Sequence, residues 1–273
     1  MARMALVSDA FFLPTGDPGR FIATPHTEGL WESAVQHGGP PSALLIRAVE
    51  RLPSSIAGPA QVARFTVEIL GPVSTGEIGV AAQVARTGRS VELVEAELVA
   101  GGRTAMRARV WRVRTADLDL PHGMPAGPAS VSPPRPAEET TIPSPWASGG
   151  FLHAVEWRFV EGRFDLPGPS VTWARLKVPV VDGEAPTPLQ RLLTLADCGN
   201  GLSSRLDFDA WWFINTELTV HMARAPVGEW FCARADATLD RSGVGLAETE
   251  LFDDAGRLGR GAQALLVGRR PGS

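Results

Sequence analysis

The chain has 273 residues, of which 44% are hydrophobic and 21% are charged, and its formal net charge is −4 at pH 7. This is the composition of an ordinary folded protein, and the acidic excess argues against nucleic-acid binding, which usually requires a basic face. Cys198 and Cys232 are the only cysteines, which excludes a disulfide framework and indicates a reducing, cytoplasmic compartment. No run of about 18 apolar residues occurs, and Asp9 interrupts the apolar start of the chain. We therefore expect neither a membrane span nor a signal peptide.

Two stretches with the same internal order flank a proline-rich segment. Pro121 to Pro145 lacks apolar periodicity, and its prolines disfavour helices and central strands. We interpret it as a linker between an N-terminal unit, residues 1–120, and a C-terminal unit, residues 146–273. Landmark residues recur between the two units at separations of 154 (Pro72 to Pro226), 153 (Glu97 to Glu250) and 152 (Arg89 to Arg241). These separations predict a tandem duplication.

Each unit contains one predicted helix, which long strands follow. Gly38-Gly39-Pro40-Pro41 precedes a helix over Ser42–Leu52, whose mostly apolar positions predict that it is largely buried. Thr187–Ala196 places leucines on one helix face, and Gly199-Asn200-Gly201 predicts its end. The runs after both helices alternate apolar and polar residues between hairpin-like turns, which predicts antiparallel strands. The fold class is therefore α+β, with an antiparallel sheet against one buried helix, twice over.

Several familiar catalytic and metal-binding motifs do not occur in the chain. We find no G-x-S-x-G elbow, no G-x-G-x-x-G, no phosphate loop and no H-E-x-x-H. The five histidines show no metal-ligand spacing, so we expect neither a metal ion nor a cofactor. The His37-Gly38-Gly39 segment is compatible with an oxyanion loop. Without a nucleophile elbow, we interpret it as a tight turn before the helix.

Asp197 is the strongest candidate for a catalytic residue in the sequence. It follows Leu193 by four positions and Leu189 by eight, so on a helix its carboxylate projects from the apolar side. A carboxylate in such surroundings is costly unless paired, and it is a candidate for a raised pKa and for base catalysis. The alternative is a structural acid that turns to solvent or bonds the Asn200–Gly201 backbone.

Several segments, spread over nearly the whole chain, share their order and spacing with one known family. They are His37–Gly39, Thr87–Ser90, Leu195–Asp197, Asn215–His221 and Ala262–Gln263. On these residues each half resembles the hotdog fold, a long antiparallel sheet wrapped around one central helix. Two such halves in one chain resemble the double-hotdog acyl-CoA thioesterases of the bacterial thioesterase II type.

The resemblance also implies a set of site residues. In that family an aspartate, a threonine and a glutamine position the attacking water, and the matching positions here are Asp197, Thr216 and Gln263. The strand that carries Thr216 ends in Arg224-Ala225-Pro226 instead of Arg-Pro, which leaves its register open by one residue. Asn215 is therefore the alternative to Thr216.

The expected oxyanion donors are backbone amides near Gly38 and Gly39, at the start of the first helix. Pro40 and Pro41 have no amide hydrogen, so this helix offers fewer donors than a typical helix start. A thioester carbonyl can be attacked directly by water, so the chemistry needs a base and an oriented water but no covalent nucleophile.

The function predicted from the resemblance is hydrolysis of acyl-CoA to the free acid and CoA in lipid metabolism. We also expect a homo-oligomer without nucleic-acid or membrane partners. A non-catalytic acyl-CoA-binding protein remains an alternative. So does a hydratase or dehydratase of the same fold, which typically needs a histidine beside an aspartate. The sequence pairs neither His37 nor His221 with such a motif.

The repeat predicts one catalytic site in each chain. Subtracting the offset from Asp197 leads to Leu45, Leu44 or Ala43, none of which can act as a base. The same subtraction leads from Gln263 to Arg109 and from Thr216 to Val62. We therefore expect the first half to lack the catalytic groups.

Overall fold

The structure, a computed structural model, describes residues 9–32, 34–122, 131–146 and 150–270. The first eight residues of the chain, where a signal peptide was considered, lie outside the described residues, and so do residues 123–130 of the predicted linker. Within the described ranges the chain forms thirteen β-strands and four α-helices.

The strands of the first unit are β1 (Phe12–Pro14), β2 (Arg20–Ala23), β3 (Ala60–Ile69), β4 (Gly76–Arg86), β5 (Val91–Ala100) and β6 (Arg103–Arg114). Those of the second are β7 (Val155–Glu161), β8 (Ser170–Leu176), β9 (Trp211–Asn215), β10 (Glu217–Met222), β11 (Phe231–Leu239), β12 (Val244–Asp253) and β13 (Gly256–Arg269). The helices are α1 (Gly39–Glu50), α2 (Gly150–His153), α3 (Pro188–Ala196) and α4 (Gly199–Leu202).

All these strands join one continuous sheet. Its order is β1-β2-β4-β5-β6-β3-β10-β13-β12-β11-β8-β7, and β9 pairs with β13. The two units meet where β3 pairs antiparallel with β10, and there Thr66 stands opposite Thr219. These two threonines are 153 residues apart and their hydroxyl oxygens are 3.2 Å apart. Each lies opposite its own repeat equivalent, so a pseudo-two-fold axis passes between them, and the predicted duplicated α+β architecture is confirmed.

Helix α1 is buried, as its apolar sequence predicts. Ala43, Leu44 and Leu45 are fully inaccessible to solvent. The helix begins at Gly39, before the predicted Ser42, because Pro40 and Pro41 fit the first turn, where backbone amides lack intrahelical partners.

Helix α3 covers the predicted range, but the residues expected to stop it have another role. The Thr187 hydroxyl accepts a hydrogen bond from the Gln190 amide (3.2 Å) and caps the helix, which ends at Ala196. The expected stop signal at Gly199 instead starts the short helix α4. A Cβ on Gly199 would lie 2.6 Å from the Thr249 hydroxyl and 2.7 Å from Gln263 Oε1. This glycine is therefore required for close packing of α4 against the sheet, not for a helix end.

Helices α1 and α3 pack so that the start of each lies beside the end of the other. Gly38, before α1, contacts Asp197 after α3, and Thr187, before α3, donates a hydrogen bond to Glu50 at the end of α1 (2.8 Å). Glu50 thus contacts the start of α3 much as Asp197 contacts the start of α1. It precedes Asp197 by 147 residues, whereas the strands repeat at 153, so the strand offset leads to residues 43–45 instead of to this acid.

The described part of the proline-rich segment contains no strand in residues 131–143. Its backbone instead covers the sheet of the second unit. The Trp173 indole N–H donates to the Pro133 carbonyl (3.0 Å), and the Phe159 amide donates to the Thr140 hydroxyl (3.0 Å). The Arg135 guanidinium lies 4.8 Å from the centre of the Trp230 ring. This part of the chain therefore runs along the outside of the sheet.

We expect Gly39→Ala to destabilise the fold by about 1–3 kcal/mol, the usual range for overpacking. A Cβ at Gly39 would lie 2.1 Å from the Thr194 carbonyl oxygen, which belongs to backbone and cannot rotate away. Gly201→Ala is the matched control, since a Cβ there meets nothing within 4 Å. Urea unfolding measures the stability of both variants. Equal stability of Gly39→Ala and Gly201→Ala would contradict the close contact between the helices.

Candidate active site

Asp197 lies at the end of α3, in the interior between the two units. Only 3% of its surface is exposed. The helix places it there because Leu193 and Leu189, one and two turns earlier on the same face, are buried in the core. The sequence prediction of an acid on an apolar face is therefore confirmed in its geometry.

Two side-chain amides donate hydrogen bonds to one carboxylate oxygen of Asp197. Asn215 Nδ2 lies 2.8 Å from Asp197 Oδ1, and Gln263 Nε2 lies 3.3 Å from the same atom. Gln263 Nε2 also lies 3.1 Å from the Asp197 carbonyl oxygen, and its Oε1 accepts the Asn200 amide (2.9 Å). Because a backbone N–H fixes the position of Oε1, the amino group of Gln263 must face Asp197.

The second carboxylate oxygen faces the start of α1. Asp197 Oδ2 lies 3.5 Å from His37 Nδ1, and a Cβ on Gly38 would lie 2.6 Å from it. His37 Nδ1 also accepts the Gly39 amide (3.0 Å), so the neutral ring carries its proton on Nε2. The ring stacks on Phe151 at a centroid distance of 4.0 Å.

Burial sets the protonation states of the pair. It raises the pKa of Asp197 to about 7, although the hydrogen bonds from Asn215 and Gln263 lower it. Burial lowers the pKa of His37 to about 3. At neutral pH the histidine is therefore uncharged, and the aspartate exchanges its proton. A general base is most effective when its pKa lies near the working pH, and Asp197 meets this condition.

The structure does not bring Thr216 to this site. Its side chain is exposed, and its hydroxyl donates to the Ala264 carbonyl (3.3 Å). Neighbouring side chains of an extended chain point to opposite faces, so the inward position belongs to Asn215. Of the two alternatives, Asn215 is therefore the residue that faces Asp197.

Gly38 and Gly39 do lie beside Asp197, but the Gly39 amide is already bonded to His37. His37 itself was interpreted as part of a turn, without an aspartate partner, and that expectation was wrong. The signal that could have found it is the duplication, because a pseudo-two-fold axis between antiparallel helices places the start of one beside the end of the other.

A cavity of about 550 Å³ lies on the far side of two neighbours of Asp197, His37 and Cys198, and Asp197 itself does not line it. His37 and Cys198 line it together with four larger aromatic side chains, Trp146, Phe164, Phe208 and Phe213, and four leucines, Leu30, Leu166, Leu202 and Leu206. Its size is within the range of about 300–1,000 Å³ typical of small-molecule sites. Burial raises the pKa of the Cys198 thiol well above its usual value, so this cysteine is a poor nucleophile.

Two further features concern metal ions and membranes. Among the described residues, no cluster of three or more His, Cys, Asp or Glu side chains is arranged to hold a metal ion. None of the helices that the structure describes is long and apolar enough to cross a membrane.

The sheet, the paired helices and the acid between them define a double-hotdog protein with one buried carboxylate at the junction of its units. Two sequence profiles cover most of the chain: the acyl-CoA thioesterase N-terminal domain over residues 27–113 and the C-terminal domain over residues 128–267. The chain therefore belongs to the acyl-CoA thioesterase family and is a thioester hydrolase.

Solved structures support the same fold. A hotdog-fold protein of unknown function from Alicyclobacillus acidocaldarius has a TM-score of 0.69 at 18% identity, covering 95% of this chain and 97% of the other. A candidate thioesterase II from Thermobifida fusca YX has a TM-score of 0.70 at 21% sequence identity, and the match covers 96% of each chain. The acyl-CoA thioesterase II TesB2 from Mycobacterium marinum has a TM-score of 0.60 at 16% sequence identity, and the match covers 91% of this chain and 98% of the other. At these identities the likeness establishes the fold. A search among curated protein sequences gave no significant match.

We expect Asp197→Asn to stabilise the protein, relative to the native chain, by a larger amount at alkaline pH than at acidic pH. The pKa of about 7 in the folded state lies above the unfolded value, so the native protein loses stability as the pH rises from about 4 to 7. At one pKa unit per 1.36 kcal/mol, the loss is on the order of 4 kcal/mol. The asparagine variant has no such loss. Urea unfolding at pH 5 and pH 8 measures the difference, and an identical pH dependence of both proteins would contradict it.

Proposed function

We propose that this protein hydrolyses acyl-CoA to the free acid and CoA, and that Asp197 activates the attacking water. The observation that carries the proposal is the asymmetric environment of this carboxylate. Two amides hold Oδ1, whereas Oδ2 is directed at the junction of the units, where His37 and Cys198 border the cavity. A buried carboxylate with a pKa near 7 is suited to general-base catalysis in neutral solution.

The reaction would proceed in two steps. Water attacks the thioester carbonyl as Asp197 accepts its proton, and the carbonyl oxygen gains the negative charge. The tetrahedral intermediate then expels the CoA thiolate, which recovers the proton from Asp197. The Nε2–H of neutral His37, at the ring edge opposite Nδ1, is a donor suited to the oxyanion. It would compensate for the amide of Gly39, which is engaged with His37.

The first unit holds an acid, Glu50, in a setting that differs from that of Asp197. Glu50 is exposed and accepts hydrogen bonds from Gln190 Nε2 (2.7 Å) and the Thr187 hydroxyl (2.8 Å), at the start of α3. Val110 and Val62 occupy the strand positions equivalent to Gln263 and Asn215. Because this carboxylate is exposed and no amide of the described strands holds it, the Glu50 position is not equipped for the same reaction. One catalytic site in each chain therefore stays our prediction.

We expect Asp197→Asn to lower kcat by about 10²–10⁴-fold, because the amide preserves shape but cannot accept a proton. Glu50→Gln is the matched control and should retain nearly native turnover. Release of free thiol from a panel of acyl-CoAs measures both. Near-native kcat in a folded Asp197→Asn protein would place the base elsewhere, and a large loss in Glu50→Gln would reveal a second site.

The pH profile should report the same carboxylate. For the native protein, kcat/KM should rise with pH and level off above about 7, as Asp197 loses its proton. Asn215→Ala removes the shorter of the two hydrogen bonds that stabilise the charged form, so the rise should move to higher pH. Gln263→Ala should move it in the same direction and reduce kcat less than Asp197→Asn. A profile that does not change in Asn215→Ala would contradict the assignment.

One observation favours a second candidate function. The hydratase and dehydratase branch of this fold needs a histidine beside an acid, and His37 Nδ1 lies 3.5 Å from Asp197 Oδ2. Incubation with 2-enoyl-CoA and with 3-hydroxyacyl-CoA separates the alternatives, because hydration changes the enoyl absorbance and releases no thiol. Binding of acyl-CoA with neither change would identify a non-catalytic binding protein.

The cytoplasmic location and the homo-oligomeric state stay predictions.

A further inference from the structure

We propose that the cavity beside Asp197 receives the acyl group and selects an uncharged, ring-bearing acyl group over straight chains and over chains that end in a carboxylate. This inference rests on the proposed thioesterase function. It goes beyond that function because it assigns a chemical class to the substrate.

The position of the cavity identifies the part of the substrate that enters it. His37 and Cys198 line the cavity, and both adjoin Asp197, His37 in space and Cys198 along the chain. A thioester carbonyl placed for attack beside Asp197 would direct one of its two substituents, the acyl group or the CoA sulfur, into this space. The lining decides between these two substituents.

Aromatic rings in edge-to-face contact form the wall. The ring centroids of Phe208 and Phe213 are 6.2 Å apart at an interplanar angle of 79°, and those of Trp146 and Phe208 are 6.0 Å apart at 64°. Trp146 and Phe164 are 6.1 Å apart at 84°. These are the favoured separations and angles of aromatic pairs, so another ring entering the cavity would extend the same packing.

The charges on the lining are acidic. Asp165, Asp207 and Asp209 line the cavity, and its described lining contains no lysine or arginine. Arg163 pairs with Asp165 (2.8 Å), but Asp207 and Asp209 form no ion pair within the part of the chain that the structure describes. Arg270 lies over the Phe208 and Trp31 rings, at 4.8 and 5.3 Å from their centroids, and its single positive charge offsets only part of the charge of the two acids.

This charge decides which substituent enters. The phosphate groups of CoA would be repelled by Asp207 and Asp209, so the CoA must extend away from the cavity and leave it to the acyl group. The same repulsion acts on an acyl chain that carries a carboxylate at its far end. Rings on the wall and acids without cation partners thus favour a ring-bearing, uncharged acyl group.

Matched pairs of substrates test the inference. Phenylacetyl-CoA and octanoyl-CoA have the same number of acyl carbons, and we expect a kcat/KM about three- to tenfold higher for phenylacetyl-CoA, the size of one aromatic pair. Hexanoyl-CoA and adipyl-CoA differ in the terminal carboxylate, and we expect hexanoyl-CoA to be preferred by about tenfold or more at low salt. The second preference should shrink as the salt concentration rises.

Three variants connect these preferences to the residues. Phe208→Ala should reduce the preference for phenylacetyl-CoA. The double variant Asp207→Asn with Asp209→Asn should raise kcat/KM for adipyl-CoA relative to hexanoyl-CoA and so reduce that preference. Asp240→Asn is the control, because this exposed acid lies in the turn between β11 and β12 and outside the cavity lining.

The outcomes separate the two proposals. If acyl-CoAs are hydrolysed with dependence on Asp197, but octanoyl-CoA equals phenylacetyl-CoA or adipyl-CoA equals hexanoyl-CoA, the substrate class is overturned and the thioesterase proposal stands. If no acyl-CoA in the panel releases thiol, the proposed function itself is overturned.

Discussion

The close contact between the start of α1 and the end of α3 is the constraint on which the site depends. Gly38 and Gly39 have no side chains, which lets the Thr194 carbonyl and the Asp197 carboxylate approach the α1 backbone directly. The two helices belong to different units, so the contact also brings those units together. His37 meets the acid only because the chain before α1 passes over this contact.

The hydrogen bonds that the Asn215 and Gln263 side-chain amides donate to Asp197 depend on the end of helix α3 at Ala196. If α3 continued past Ala196, the chain could not turn to form α4, and the Asn200 amide would not reach Gln263. That amide holds Gln263 Oε1 and thereby aims Nε2 at the carboxylate. A short helix outside the reacting groups thus fixes the orientation of a polar side chain inside them, where a buried group without a fixed partner would be costly.

The sequence predicted the parts of this arrangement that depend on local pattern. The repeat, the two buried helices and an acid on the apolar side of the second helix all follow from periodicity and spacing. The choice between Asn215 and Thr216 did not, because the chain passes from β9 to β10 at this point and a shift of one residue exchanges the faces.

His37 and Glu50 could not be assigned from local pattern either. His37 becomes a partner of Asp197 only through the crossing of two helices that are far apart in the chain. Glu50 was missed because it precedes Asp197 by 147 residues whereas the strands repeat at 153, so one constant offset does not align the two acids. Both cases required the three-dimensional relation of the units, which the strand landmarks alone do not contain.

The pairing of β3 with β10 has a consequence for protein engineering. This joint has the form of a dimer interface, in which Thr66 and Thr219 face each other across a pseudo-two-fold axis, although one continuous chain supplies both sides. A break in the polypeptide between the units would leave the joint in place as a contact between two fragments. One fragment would carry His37 and Gly38, and the other would carry the acid with its two amides. Such a pair would act as a split enzyme, inactive as separate fragments and assembled by association.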